Sequence, residues 1–426
     1  MTSRPQFLIL DQSLLDADGH HYDMDRHVAR AAKDMGMAPR VAAHRNFDLR
    51  LPFDQTPLDA WFSQTWVDAH QSRVAQTARR VIQSAPRQLQ TPLLSFAGLA
   101  RRLISSRADL PAPPPFGSEA ITYLCEQNAG SGDHVFVHTL AGAELHSLCE
   151  ALTRSTITST VHVVLRRSAA EAIMSKGVPG GLPALLSRIS SDTRLSRQMR
   201  FYTDTDALTH QHQALCPALP IITLPIPIAP IDAALADAPR QPGPLRLLYL
   251  GNARTEKGFQ LLPIAVAALQ DASGTIPDTV LIAQAHSSTS LTEAVIEDTR
   301  RRLRTSNHVI LIEEPLSTED YARQLATADI ILLPYDREAY RERSSGILIQ
   351  ALAAGKPVVV PDQSWLSDTT PANTAAHFGA DADFGRAAIE AVQRIDILSK
   401  TTRAGAQEWR RKHSPLALVE TLLRNA

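Results

Sequence analysis

Cysteine is scarce: Cys125, Cys149 and Cys216 are the only three in 426 residues, widely spaced, with no Cys-x-x-Cys pair. None has a histidine at zinc-finger spacing, so neither a disulfide framework nor a structural zinc is indicated, and a reducing compartment fits best. No charge of one sign prevails either. The chain carries 43 basic and 44 acidic side chains, a formal charge of −1, so no global field recruits nucleic acid. Long apolar runs are missing: none approaches the ~18–20 residues needed to cross a bilayer. At the N-terminus Phe7-Leu8-Ile9-Leu10 follows a single arginine, too short for a signal-peptide core and without a small-residue cleavage site. The expectation is a cytoplasmic protein whose first strand begins there.

What is present is length and alternation. A single hydrophobic core stops growing beyond ~250–300 residues, so 426 residues predict two domains. Strand-like runs Phe7–Leu10, Val135–His138, Val161–Leu165 and Ile221–Leu224 alternate with helical spacing, as in Tyr22–Met35 and Ala141–Leu152. A second series follows with strands Leu245–Leu250, Thr279–Ala283, Val309–Ile312, Ile330–Leu333 and Pro357–Val360. Such alternation predicts α/β architecture with two doubly wound parallel sheets. Between the series, Leu224-Pro225-Ile226-Pro227-Ile228-Ala229-Pro230, then Pro239, Pro242 and Pro244, disfavour both helix and central strand. The predicted division is a first domain over 1–224, a linker over 225–244, a second domain over 245–403, and a helical segment 404–426 that packs back on the first. Pro111 to Pro115 read as a rigid loop, and no internal repeat is evident.

Two stretches carry the chemistry. Leu248-Tyr249-Leu250-Gly251-Asn252-Ala253-Arg254-Thr255-Glu256-Lys257-Gly258 leaves a strand end, where ligands of open parallel sheets sit. Two cations, Arg254 and Lys257, there suit a diphosphate, although an isolated Arg-x-x-Lys is more often a solvated loop. Further on, Ile330-Ile331-Leu332-Leu333-Pro334-Tyr335 leads to Tyr340-Arg341-Glu342-Arg343-Ser344-Ser345-Gly346 and a helix from Ile347 through Gln350 to Gly355. Ser344, Ser345 and Gly346 place a helix N-terminus, with free amides and a positive dipole end, where phosphate oxygens could bind. A plain serine cap explains the same residues.

Together these stretches resemble the nucleotide-sugar half of glycosyltransferase family 4, the retaining GT-B enzymes, over roughly residues 245 to 361. The family signature is Glu-x7-Glu before a small-residue helix and Gly-x-Pro-Val. Here Glu342 and Gln350 make it Glu-x7-Gln. The resemblance implies a GT-B fold of two Rossmann-like domains facing across a cleft and a nucleotide-sugar donor held by Gly251, Arg254, Lys257, Glu342, Ser344, Ser345, Gly346, Ile347 and Gln350. It further implies hexosyl transfer with retention, to a glycan or lipid-linked acceptor, without metal or other cofactor. Glu342 would orient the donor sugar. Gln350 would meet the ribose without the charge of a glutamate. Asp18-Gly19-His20-His21, with Asp18, Gly19 and His20 as its candidate residues, resembles the acceptor-side loop, and His138 resembles the family's histidine near the donor sugar, although a lone strand-end histidine is more often structural. On this reading the catalytic set is Glu342, His138, Arg254 and Lys257.

Weaker signals remain. Asp204-Thr205-Asp206 has the spacing of a metal-binding Asp-x-Asp, but Asp16–Asp18 and Asp381–Asp383 share it and helix capping explains it. His210-Gln211-His212 reads as a solvated helix face. From Ala69 to Ala108 there is no acidic residue, while arginines interleave with apolar positions; this is either a core-packed helix or a peripheral contact with an anionic membrane. Two other functions stay open: a nucleotide-sugar epimerase or hydrolase on the same fold, and a non-catalytic nucleotide-sugar-binding module.

Overall fold

The computed structural model describes residues 4–16, 20–65, 114–169, 178–236, 238, 240, 242–286 and 294–426. The chain divides into two compact units, Met1–Leu224 with Val419–Ala426, and Pro225–Leu418. The basic region 69–108 lies outside the described residues, as do Asp18 and Gly19. Among the described residues no helix is long and apolar enough to cross a membrane.

The first unit is built on strands β1 (Gln6–Leu10), β2 (Ala38–His44), β3 (Leu58–Phe62), β4 (His134–Val137), β5 (Thr160–Val164), β6 (Met199–Thr203) and β7 (Ile221–Thr223). Their order is β3-β2-β1-β4-β5-β6-β7, and every pairing is parallel. The order reverses between β1 and β4, which makes that gap the topological switch point. Leu8, Leu10, Val135, Val137, Val161 and Val163 meet Leu145, Leu148 and Leu152 of the helix Gly142–Arg154 in one core.

Strands β2, β3 and β6 are not evident in the sequence. Ala38-Pro39-Arg40-Val41-Ala42-Ala43-His44 has weak β propensity, and its strand forms because the backbone pairs with β1 from Gln6↔Ala38 to Leu10↔Ala42.

A polar ladder crosses this sheet: His134 Nδ1 lies 3.0 Å from His162 Nε2, and His162 Nδ1 lies 3.0 Å from the Tyr202 hydroxyl. Burial, with the neighbouring His134 and Arg200, pulls His162 down to about 3. The folded form therefore stays neutral while the unfolded chain takes up a proton below pH ~6.5, so this stability is present above that pH and is lost on acidification. His162→Gln is expected to remove about 2 kcal/mol of the stability difference between pH 7 and pH 5. Urea midpoints across that range check it; an unchanged slope would refute the assignment.

The second unit holds β8 (Leu245–Tyr249), β9 (Thr279–Gln284), β10 (Val309–Ile312), β11 (Ile330–Leu332), β12 (Val358–Pro361) and β13 (Ala375–Phe378), in the order β10-β9-β8-β11-β12-β13. All pairings are again parallel. Both faces are covered: Leu247, Tyr249, Leu332 and Val359 belong to one core, Leu248, Leu250, Ile331 and Val360 to another. The switch point falls between β8 and β11. Strand β13 is a further strand not evident in the sequence.

The Pro-rich segment departs from expectation in holding a short helix, Ala233–Ala236, between its prolines. Ahead of it the chain runs along the end of the helix Ile395–Lys412, with Ile226 N–H donating to His413 Nδ1 at 3.1 Å and Ile228 N–H to the His413 carbonyl at 3.0 Å. The C-terminal helical segment is two helices, Ile395–Lys412 and Pro415–Arg424. In the first unit, Arg200 Nε donates to the Asn425 carbonyl at 2.7 Å.

Candidate functional site

In the second unit the loops after β8 and β11 meet through two glycines. Gly251 has φ +102, and a Cβ there would lie 2.8 Å from Lys257 Nζ and 3.0 Å from Ile347 Cδ1. Glycine thus lets an ammonium and the start of a helix close on the strand end. The Gly251 N–H is held by Gln284 Oε1 at 2.8 Å, from the end of β9. Gly258 has φ +70, and its absent Cβ would sit 1.6 Å from the Pro334 carbonyl oxygen. Between the glycines, the Glu256 carbonyl accepts the Asp336 N–H at 3.0 Å.

This contact gathers positive charge. Lys257 Nζ stands 5.7 Å from the Tyr335 ring centroid. Burial pulls its pKa down to about 8, and Arg254 and Arg343 push the same way against Glu256. Arg254 Nη1 reaches Glu256 Oε1 at 3.2 Å, while its buried Nε has no hydrogen-bond partner among the described residues. Arg343 Nη1 approaches the other oxygen of Glu256 at 3.4 Å, and the Arg343 Cζ lies 4.9 Å from the Tyr340 ring centroid. Glu342 is half-buried in the loop just before the helix.

Ser345 caps the helix Gly346–Ala353, its Oγ accepting the Leu348 N–H at 3.3 Å. Among the described residues nothing lies within 4 Å of the Cβ position of Gly346, so the first turn leaves room where its unsatisfied amides can receive an anion. Gln350 Oε1 accepts the Tyr321 hydroxyl at 2.7 Å, which engages the acceptor end of the side chain and leaves its NH₂ as the donor end.

At the switch point of the first unit a different chemistry gathers. Asp11 follows β1 fully buried, takes the Ser13 N–H at 2.9 Å on Oδ1, and meets His21 Nδ1 at 2.6 Å with Oδ2. His138 follows β4, only 1% exposed, with Nε2 at 2.7 Å from Asp25 Oδ1 and 3.5 Å from Asp11 Oδ2. Burial pulls His138 down to about 4, against the pull of Asp11. Burial also acts on Asp11, but His21 and His138 overcome it and hold this carboxylate below its usual range. Burial, and then the neighbouring Asp11, push the Asp25 carboxyl well above its usual range. The solvent-reached imidazole is therefore that of His21, 23% exposed, rather than His138. His20 opens the helix His20–Asp34. Asp11, His21 and His138 place donor atoms within 4.8 Å of one another, a spacing that a divalent ion could also use.

Other sequence expectations are corrected. Of His210 and His212 only the first is solvated; His212 is 1% exposed, with Nε2 2.8 Å from the Arg167 carbonyl. In Asp204-Thr205-Asp206 the cap is Thr205, accepting the Leu208 N–H at 3.2 Å, and Asp206 accepts the Thr223 hydroxyl at 2.6 Å. Asp11, Asp25 and Gln284 carry no site signal in the sequence, whereas His21 falls in the Asp18-Gly19-His20-His21 stretch that resembles the acceptor-side loop. Glu256, Tyr335 and Arg343 stand in the motif stretches only as neighbours of the expected site residues.

Two doubly wound parallel sheets, each with its polar cluster at the switch point, make this a GT-B-fold protein. Solved structures match along the whole chain: a glycosyltransferase from Rickettsia africae (TM-score 0.61, 11% identity, 99% of this chain and 97% of that one); HepE from Anabaena in complex with UDP (0.61, 11%, 99% and 99%); and a UDP-forming trehalose-phosphate synthase from Burkholderia xenovorans (0.62, 12%, 100% and 98%). No family model and no curated protein matches the chain.

Proposed function

We propose that the protein is a glycosyltransferase that takes a hexosyl group from a nucleoside diphosphate sugar bound by its second unit and passes it to a glycan or lipid-linked acceptor, without a metal. One observation carries this reading. At a single switch point, Gly251 lets the Lys257 ammonium and Ile347, in the first turn of the helix Gly346–Ala353, come together, and Arg254 adds its charge to that of Lys257. Departure of a nucleoside diphosphate leaves negative charge, and preorganised cations and amides stabilise it as the glycosidic bond breaks. Glu342 orients the sugar, and Gln350 offers its NH₂ to the ribose. HepE, of the same fold, was solved with UDP.

The test is a thermal-shift panel of UDP-, GDP-, ADP- and dTDP-sugars on the wild type and on Arg254→Ala/Lys257→Ala. A ligand that binds only the folded state raises its apparent stability, by about 2.7 kcal/mol at a hundred times Kd. One nucleotide series should stabilise the wild type and leave the double variant unmoved. Equal shifts in both, or none in either, would reject the donor site.

The Asp11–His21 pair favours a second reading. An imidazole tied through one nitrogen to an ionised carboxylate is equipment for proton transfer, which a nucleotide-sugar epimerase or hydrolase needs. Such an enzyme would consume donor with no acceptor present, and His21→Gln would stop it. Donor unchanged after long incubation alone would exclude this reading.

A further inference from the structure

We propose that Arg343 is a third cation for the donor diphosphate and that Glu256 is an internal stand-in for the phosphates, holding Arg254 and Arg343 until they arrive. The inference rests on the donor reading and adds two residues to it.

The geometry is that of a carboxylate spanning two guanidinium groups. Glu256 Oε1 takes Arg254 at 3.2 Å and Oε2 takes Arg343 at 3.4 Å. Both contacts are longer than the ~2.7–2.9 Å of a tight charge-assisted bond. The side chains are 39%, 38% and 35% exposed for Arg254, Arg343 and Glu256, and exposed pairs of this kind contribute little to stability. These are contacts that an incoming anion can replace. A phosphate presents a similar pair of oxygens and binds guanidinium in the same forked manner.

Charge and support agree with that exchange. Arg254, Lys257 and Arg343 supply three positive charges against one on Glu256, an excess matching the two negative charges of a diphosphate diester. Lys257 stands over Tyr335, Tyr335 packs on Tyr340 with ring centroids 4.5 Å apart, and Arg343 lies over Tyr340. One aromatic platform thus carries two of the three cations, and cation–π contact holds them without neutralising them. Glu256 is fixed through its carbonyl to Asp336, so its side chain can swing aside while the loop stays.

Calorimetric titration with inorganic pyrophosphate, which has neither base nor sugar, and with UDP, GDP, ADP and dTDP tests the assignment. Arg343→Ala should weaken pyrophosphate and the preferred nucleotide at least tenfold. Glu256→Gln should tighten both several-fold, a gain that misfolding cannot produce. Arg343→Ala binding like the wild type, or Glu256→Gln binding more weakly, overturns the proposal. If Arg254→Ala/Lys257→Ala loses pyrophosphate while Arg343→Ala keeps it, only this inference fails. If the wild type binds none of these probes, the donor reading fails with it.

Discussion

Gly258→Ala is expected to destabilise the second unit by several kcal/mol and to abolish nucleotide binding with it. The added methyl would lie 1.6 Å from the Pro334 carbonyl oxygen and 2.5 Å from its carbon. These are backbone atoms of the loop after β11, so no rotamer change relieves the clash. Overpacking alone costs about 1–3 kcal/mol, and φ +70 adds about 1 kcal/mol for any side chain. The only relief is for the loop carrying Arg254 and Lys257 to lift from the loop after β11, which separates the cations from the helix N-terminus. Denaturant unfolding followed by probes in each unit checks this, since two units need not unfold as one. A loss below 1 kcal/mol would show that the two loops are not in contact.

Asp11→Ala is the counterpart in the first unit, with an expected loss of about 2 kcal/mol, what leaving the hydrogen-bond partners of a buried group unsatisfied costs. The substitution strands the Ser13 N–H and His21 Nδ1. Asp25→Asn should cost less than about 1 kcal/mol, since an amide replaces a carboxyl that is already neutral. The contrast decides the protonation state: equal losses in the two variants would mean that both carboxyls are ionised. Asp11→Ala should also raise the mobility of the His21 ring, visible in imidazole nitrogen NMR.

The sequence by itself determined the class of fold and marked the two stretches of chain that the second unit brings together. Parallel strands buried on both faces appear as short apolar runs, and the runs at Leu245, Thr279, Val309, Ile330 and Pro357 fall on β8 to β12. Gly251, Arg254, Lys257, Ser345 and Gly346 are local in two stretches of chain, and a strand end or helix cap is written in neighbouring residues. Strands such as β2, with Pro39, Arg40 and three alanines, carry no such mark and exist through their partners.

Only the tertiary structure decided the rest, because parallel pairing joins distant segments. Asp25 and His138 lie 113 residues apart and meet because β1 lies beside β4. Glu256 and Arg343, 87 apart, meet because β8 lies beside β11. The same adjacency determines charge. Whether Asp25 carries a proton, or Lys257 titrates near 8, depends on burial and on charges brought in from other strands, and neither exists until the sheets have formed.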